Sequence, residues 1–178
     1  MPALIFRLSL IFGLLLGAAT AQAQLAEYRL GPGDKISVKV FGHDDLAAEA
    51  TVDANGRVTL PLLGQVAAAP LQVHELQDEI ARRLNEDYIV EPKVSVEITK
   101  YRPFFILGEV EKPGRYDYTL GITVRMAIAV ASGYTKRARE EPVVIVRENA
   151  EGQGVRYRAR LDTLVFPGDT IQIQRRLF

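Results

Sequence analysis

Two aspartates, Asp34 and Asp169, are the carboxylates this sequence offers for acid–base chemistry, and a pair of such groups flanking a glycosidic bond is the equipment of a glycoside hydrolase. Their surroundings argue for another use. Gly31-Pro32-Gly33-Asp34-Lys35-Ile36-Ser37-Val38 is echoed by Phe166-Pro167-Gly168-Asp169-Thr170-Ile171-Gln172-Ile173, so each aspartate closes a Pro-Gly-Asp turn that launches an alternating strand. Proline presets φ, glycine supplies the permissive position, and aspartate accepts nearby backbone N–H groups. The turn reading therefore makes both carboxylates structural, and the wide separation of the two copies is not a solenoid repeat.

Other chemistries find less support. His43-Asp44-Asp45 could offer metal ligands, but His74 is distant in sequence and no Glu-x-x-His or cysteine pair accompanies it, so no metal and no cofactor is expected. No Gly-x-Ser-x-Gly elbow is present to present a nucleophilic serine. The tyrosines Tyr101, Tyr116 and Tyr134, with Phe104, Phe105 and Tyr118, could stack on sugar faces, although core or interface positions, with tyrosine hydroxyls at the rim, are the favoured reading for most of them. Arg102, and Arg137 and Arg139 in Lys136-Arg137-Ala138-Arg139-Glu140-Glu141, are candidate contacts to glycan or to a neighbouring subunit; a solvated loop is the alternative for the latter pair. Catalysis has no positive signal.

The elements that must position these residues begin after a leader. Arg7, the apolar run Leu8–Ala19 and Ala21-Gln22-Ala23 read as a secretory signal, with cleavage between Ala23 and Gln24, because the run is too short to span a bilayer. Of the 178 residues, 155 remain, enough for one average domain or two small ones. The remaining 21 basic and 22 acidic residues leave a net charge near −1, no footprint for nucleic acid. Export permits disulfides, yet the chain has no cysteine, so packing alone must hold it and no lipid can be attached to an N-terminal thiol.

Alternation of Ile36, Val38 and Val40 predicts a first strand, followed by a loop at His43-Asp44-Asp45. Asn55-Gly56, between Thr51-Val52-Asp53 and Val58-Thr59-Leu60, predicts a type I′ hairpin. Val73, Leu76, Ile80 and Leu84 recur at helical spacing, giving an amphipathic helix over 73–88 whose start is weak because Gln72 stands at the cap. Val94, Val96 and Ile98 alternate as a strand, and Tyr101-Arg102-Pro103 marks a boundary. A second unit follows: a strand from Phe104, a turn at Pro113-Gly114, and a strand returning through Tyr116. Thr123 caps a short helix closed by Gly133 at the C′ position, and strands follow over 143–146, 155–161 and 170–174. The fold class is α+β, mostly β, with two small sheet-plus-helix units in tandem.

Tyr28-Arg29-Leu30-Gly31-Pro32-Gly33-Asp34, the run from Val52 through Asn55-Gly56 to Gly64, the helix from Val73, and Tyr88-Ile89-Val90-Glu91-Pro92 resemble the N-terminal domain of the outer-membrane polysaccharide export proteins. Ile106-Leu107-Gly108-Glu109-Val110-Glu111-Lys112-Pro113-Gly114-Arg115-Tyr116, with Thr123 and Ala131-Ser132-Gly133-Tyr134-Thr135, resembles the soluble-ligand-binding β-grasp module that follows it in that family. After the signal peptide at 1–23, the resemblance implies an export domain at 24–100 and a β-grasp domain with C-terminal strands at 101–178. It further implies a non-enzymatic, ring-forming homo-oligomer in the periplasm that passes capsular or extracellular polysaccharide from an inner-membrane co-polymerase towards the outer membrane. Because a lipidated cysteine and a pore-forming C-terminal helix are not seen, a separate outer-membrane β-barrel partner is expected. The competing expectation is a monomeric periplasmic ligand-binding protein, since β-grasp modules can hold small molecules.

Overall fold

The computed structural model describes residues 28–149 and 152–176, so the expected signal with Ala23 and Gln24 lies outside the described residues. Strands β1 (Lys35–Val40), β2 (His43–Thr51), β3 (Arg57–Leu60) and β4 (Gly64–Ala67) precede helix α1 (Val73–Asp87) and strand β5 (Val94–Lys100). Strands β6 (Phe104–Gly108) and β7 (Gly114–Tyr116), helix α2 (Val124–Val130), and strands β8 (Val143–Glu148), β9 (Gly154–Ala159) and β10 (Thr170–Ile173) complete an α+β fold.

The first part holds a three-stranded sheet in the order β2-β1-β5 and a separate β3-β4 hairpin. Alternation in β1 turns Ile36, Val38 and Val40 inward, where they meet Leu76, Ile80 and Leu84 of α1 in one apolar cluster. Each such side chain contributes roughly 1.5–3 kcal/mol by leaving water. The second part is a mixed five-stranded sheet ordered β7-β6-β10-β8-β9, with β10 parallel to β6 and antiparallel to β8. Phe104, Ile106, Ile145, Ile171 and Ile173 of its inner face pack with Val124, Ala127 and Ile128 of α2 in a second cluster.

Four local expectations change. His43-Asp44-Asp45 is not a loop but the start of β2: Val40 faces His43 across a two-residue turn in which Gly42 takes φ +80°. Pairing with β1 outweighs the polar composition. The Asn55-Gly56 turn is not type I′, because only Gly56 has positive φ, and β2 and β3 then go to different sheets. Asp53 organises this turn, its Oδ1 accepting from the N–H groups of Asn55 (2.8 Å) and Arg57 (2.9 Å). At α1, Glu75 reaches back so that its Oε2 accepts from the Gln72 N–H at 2.7 Å, half of a capping box that makes up for the missing serine or threonine.

At the end of α2 the left-handed C′ position belongs to Ser132 (φ +69°), with Gly133 one place later. Gly133 N–H donates to the Ile128 carbonyl and Ser132 N–H to that of Ala129, the two bonds of a Schellman motif. At the other end Thr123 Oγ1 accepts from Met126 N–H at 3.4 Å. Thr123→Ala is expected to cost about 1 kcal/mol, read as a lowered urea midpoint at unchanged slope.

Candidate functional site at the junction of the two units

The two Pro-Gly-Asp turns are wired alike. In each, the aspartate N–H donates to the carbonyl of the turn's first residue, Gly31 or Phe166, at 3.1 Å, and the middle glycine is left-handed, at φ +95° for Gly33 and +88° for Gly168. These are type II turns with proline and glycine where that geometry wants them. The aspartate side chain then folds back, and Oδ2 accepts from the N–H of that first residue at 2.8 Å in both copies. Both carboxylates are fully buried.

A buried carboxylate needs a cation, and the two turns find different ones. Asp169 is held by Arg147 in a bidentate pair, Nε to Oδ1 at 2.7 Å and Nη2 to Oδ2 at 2.6 Å, while the guanidinium lies 4.0 Å from the Phe166 ring centroid. Asp34 takes the Arg102 backbone N–H at 2.6 Å, its Nη1 at 3.3 Å, and the Tyr28 hydroxyl at 2.7 Å. Arg102 also spans the junction, its Nε donating to the Pro167 carbonyl at 3.3 Å. Tyr28, Tyr101 and Tyr118 continue the span with edge-on ring contacts at 5.2 and 5.3 Å. Burial first, and then the charge of Asp34, pushes the Tyr28 phenol far above its ordinary pKa, and the same two causes raise Tyr101.

Beside this clamp lies an open cleft of about 540 Å³, lined by Tyr28, Arg29, Pro70, Arg102, Arg147 and Phe166 among others. Two of its arginines, Arg102 and Arg147, are engaged from behind by Asp34 and Asp169, while Arg29 pairs with Glu75 at 3.6 Å. Neither carboxylate is open to water or to a glycan. The geometry suits holding two units in register; proton transfer to a substrate would require both turns to open.

Of the candidate contact residues, Tyr101, Arg102 and Tyr118 come to this junction. Tyr116 stacks on Phe104 with centroids 5.9 Å apart, and its hydroxyl donates to the Lys112 carbonyl beside the Pro113-Gly114 turn. Tyr134 donates to the Glu140 carbonyl at 3.0 Å. Arg137 and Arg139 are exposed, and the latter donates to the Glu141 carbonyl at 3.2 Å. His43 and His74 do not converge, and among the described residues no group of three or more His, Asp or Glu side chains could hold a metal. Tyr28 opens the run that ends at Asp34, but neither its bond to that carboxylate nor the part played by Arg147 is marked by any motif. The one signal for them is indirect: an aspartate recurring in the same turn ahead of an apolar strand calls for a cation once that turn is buried.

Tyr157, on the edge strand β9, carries a buried hydroxyl with no hydrogen-bond partner among the described residues. Burial, then the charge of Asp169, pushes its pKa up to about 12. A folded-state value above the unfolded one means stability is complete below the ordinary tyrosine pKa, about 10, and is lost as pH rises from there through about 12. Tyr157→Phe is expected to be neutral to stabilising by about 1 kcal/mol at pH 7 and to weaken this alkaline loss, as followed by denaturation at pH 7, 10 and 11.5.

With the geometry in place, comparison with known proteins gives two consecutive family matches. Residues 22–99 match the family model described as polysaccharide biosynthesis/export protein, and residues 103–158 match the SLBB domain. The exopolysaccharide production protein ExoF of Rhizobium meliloti is 30% identical over 82% of this chain and 38% of its own length. The polysialic acid transport protein KpsD of Escherichia coli is 28% identical over 51% of this chain and 16% of its own. The EPS I polysaccharide export outer membrane protein EpsA of Ralstonia solanacearum is 25% identical over 52% and 31%. The chain thus spans well under half the length of these relatives. No helix among the described residues is long and apolar enough to cross a membrane. The two models matching in order, the Pro-Gly-Asp turn inside the first match, and relatives named for polysaccharide production, transport and export together show that this chain carries a polysaccharide biosynthesis/export protein region followed by an SLBB domain.

Proposed function

We propose that this chain is a periplasmic, non-catalytic subunit that assembles into a ring and passes capsular or extracellular polysaccharide from an inner-membrane co-polymerase towards an outer-membrane β-barrel partner. Residues 24–100 serve as its export region and 101–178 as a β-grasp unit. The observation that carries the reading is the Arg102 clamp: one side chain, held by Asp34 and by the Pro167 carbonyl, ties the two matched regions together at a fixed point. A subunit repeated around a conduit needs its parts held in one relative position, because errors in that position add up around the ring.

Deleting the coding sequence in a polysaccharide-producing cell is expected to abolish surface polymer while polymer accumulates inside, and the intact chain restores secretion. Light scattering of residues 24–178, alone and with the periplasmic part of the co-polymerase, is expected to give a closed oligomer. Undiminished secretion from the deletion strain would sink the export role.

The cleft favours one other reading, a monomer that captures a small ligand, since about 540 Å³ lies within the size range of small-molecule sites. A monomer under every condition, with secretion intact, is the result that reading requires.

A further inference from the structure

Each of the two larger sheets has one edge strand, opposite β5 in the first and β7 in the second, whose outer backbone groups are unpaired among the described residues: β2 in the three-stranded sheet and β9 in the five-stranded one. Open edges invite pairing with another chain, and proteins control that with charge. Here the two edges carry opposite charge. The solvent face of β2 presents Asp45, Ala47 and Glu49, with Asp44 also exposed, while that of β9 presents Arg156 and Arg158, followed by Arg160. Asp44, Asp45, Glu49, Arg156 and Arg158 enter no ion pair among the described residues, although four glutamate and arginine side chains of α1 pair with one another. The nearest lysines in the sheet, Lys35 and Lys39 of β1, leave the acidic row unpaired as well.

We infer that β2 of one copy pairs with β9 of the next, antiparallel, with Glu49 opposite Arg156 and Ala47 opposite Arg158, so that neighbouring copies join head to tail through a continuous sheet. The register satisfies both faces. On the solvent face Glu49 meets Arg156, and on the inner face the register sets Ala48 against Tyr157 and Leu46 against Ala159, small or apolar groups throughout. Like edges repel: β2 on β2 opposes carboxylates and β9 on β9 opposes guanidiniums, so between these two edges the charges favour the unlike pair. A contact between two different surfaces of one chain propagates, closing into a ring where the rotation allows. The inference rests on the ring-forming reading above and names the contact that builds the ring.

The absence of cysteine makes the test clean. The full chain carrying Ala47→Cys and Arg158→Cys, produced in the secreting cell with its export partners, is expected to give a disulfide-linked ladder beyond the dimer, which neither single variant gives. Adding Arg156→Glu or Glu49→Lys should reduce the ladder about tenfold, and adding both should restore it, which also shows that the variants fold. An amine-reactive cross-linker on the unaltered chain supplies the reference. Multimers with that reagent but no disulfide ladder overturn the edge pairing and leave the ring standing. No multimer by either route overturns both, and a ladder indifferent to the charge changes overturns the electrostatic match.

Discussion

Asp34→Ala is expected to lower unfolding stability by about 3 kcal/mol, the cost of leaving a buried ionic partner alone. The carboxylate accepts four hydrogen bonds at once, from Tyr28, from Gly31, and from both the backbone and the guanidinium of Arg102. Its loss strands the Gly31 N–H in the core and opens the type II turn whose glycine and aspartate bracket Val52. The expected value sits at the low end of the range for broken buried pairs because the Arg102 side chain is 22% exposed and can recover some water. Asp34→Asn should do little better, since an amide nitrogen would face the donors the carboxylate now satisfies. Urea denaturation measures the loss, and a change below about 1 kcal/mol would mean that the turn holds without its plug.

Gly108→Ala is expected to be of comparable severity. Gly108 ends β6 at φ +91°, a conformation that costs an alanine roughly 1 kcal/mol or more. The added Cβ would also lie 2.0 Å from the carbonyl oxygen of Ile173 on β10. A flexible side chain could swing away, but this obstacle is backbone, and that same carbonyl accepts the N–H of Glu109 at 3.0 Å. Relief requires β6 and β10 to separate, which breaks the parallel pair at the centre of the second sheet. A loss of about 3 kcal/mol or more follows, with the far-ultraviolet spectrum and the denaturation midpoint as readouts. An alanine variant of wild-type stability would show that the two strands do not approach so closely.

The strands that the sequence makes legible are those where one face alone is buried. Val94, Val96 and Ile98 in β5 and Ile171 and Ile173 in β10 alternate because water lies on one side of each sheet. Helix α1 is legible for the same reason at a different period. What fails is local chemistry overruled by pairing: His43-Asp44-Asp45 is polar enough for a loop, yet His43 pairs with Val40 of β1 and the strand runs on through an irregularity in register to the regular ladder from Ala48 to Thr51. At the junction, the repeated Pro-Gly-Asp turn pointed to both aspartates, but nothing in the spacing pointed to their cations. Arg102 lies 68 residues from Asp34 and Arg147 lies 22 from Asp169. Such pairs are written in the tertiary fold, and a single sequence carries no periodicity for them. Arg102 is legible in the sequence as part of a boundary and as a candidate contact to glycan or a neighbouring subunit, not as the partner of Asp34.

The position of β10 also sets a timetable. It is the last strand of the described chain and yet the middle one of its sheet, between β6 and β8. Synthesis delivers β6 some sixty residues before its parallel partner, and closing so long a loop is slow, whereas the antiparallel β8-β9 hairpin can form at once. Until Thr170–Ile173 arrives, the inner faces of Phe104 and Ile106 have no central strand to complete their layer, and the Arg147 counter-ion has not been made. The first unit is free to fold as it emerges; the second waits for its final residues and then closes all at once, in the same step that docks Pro167 onto Arg102.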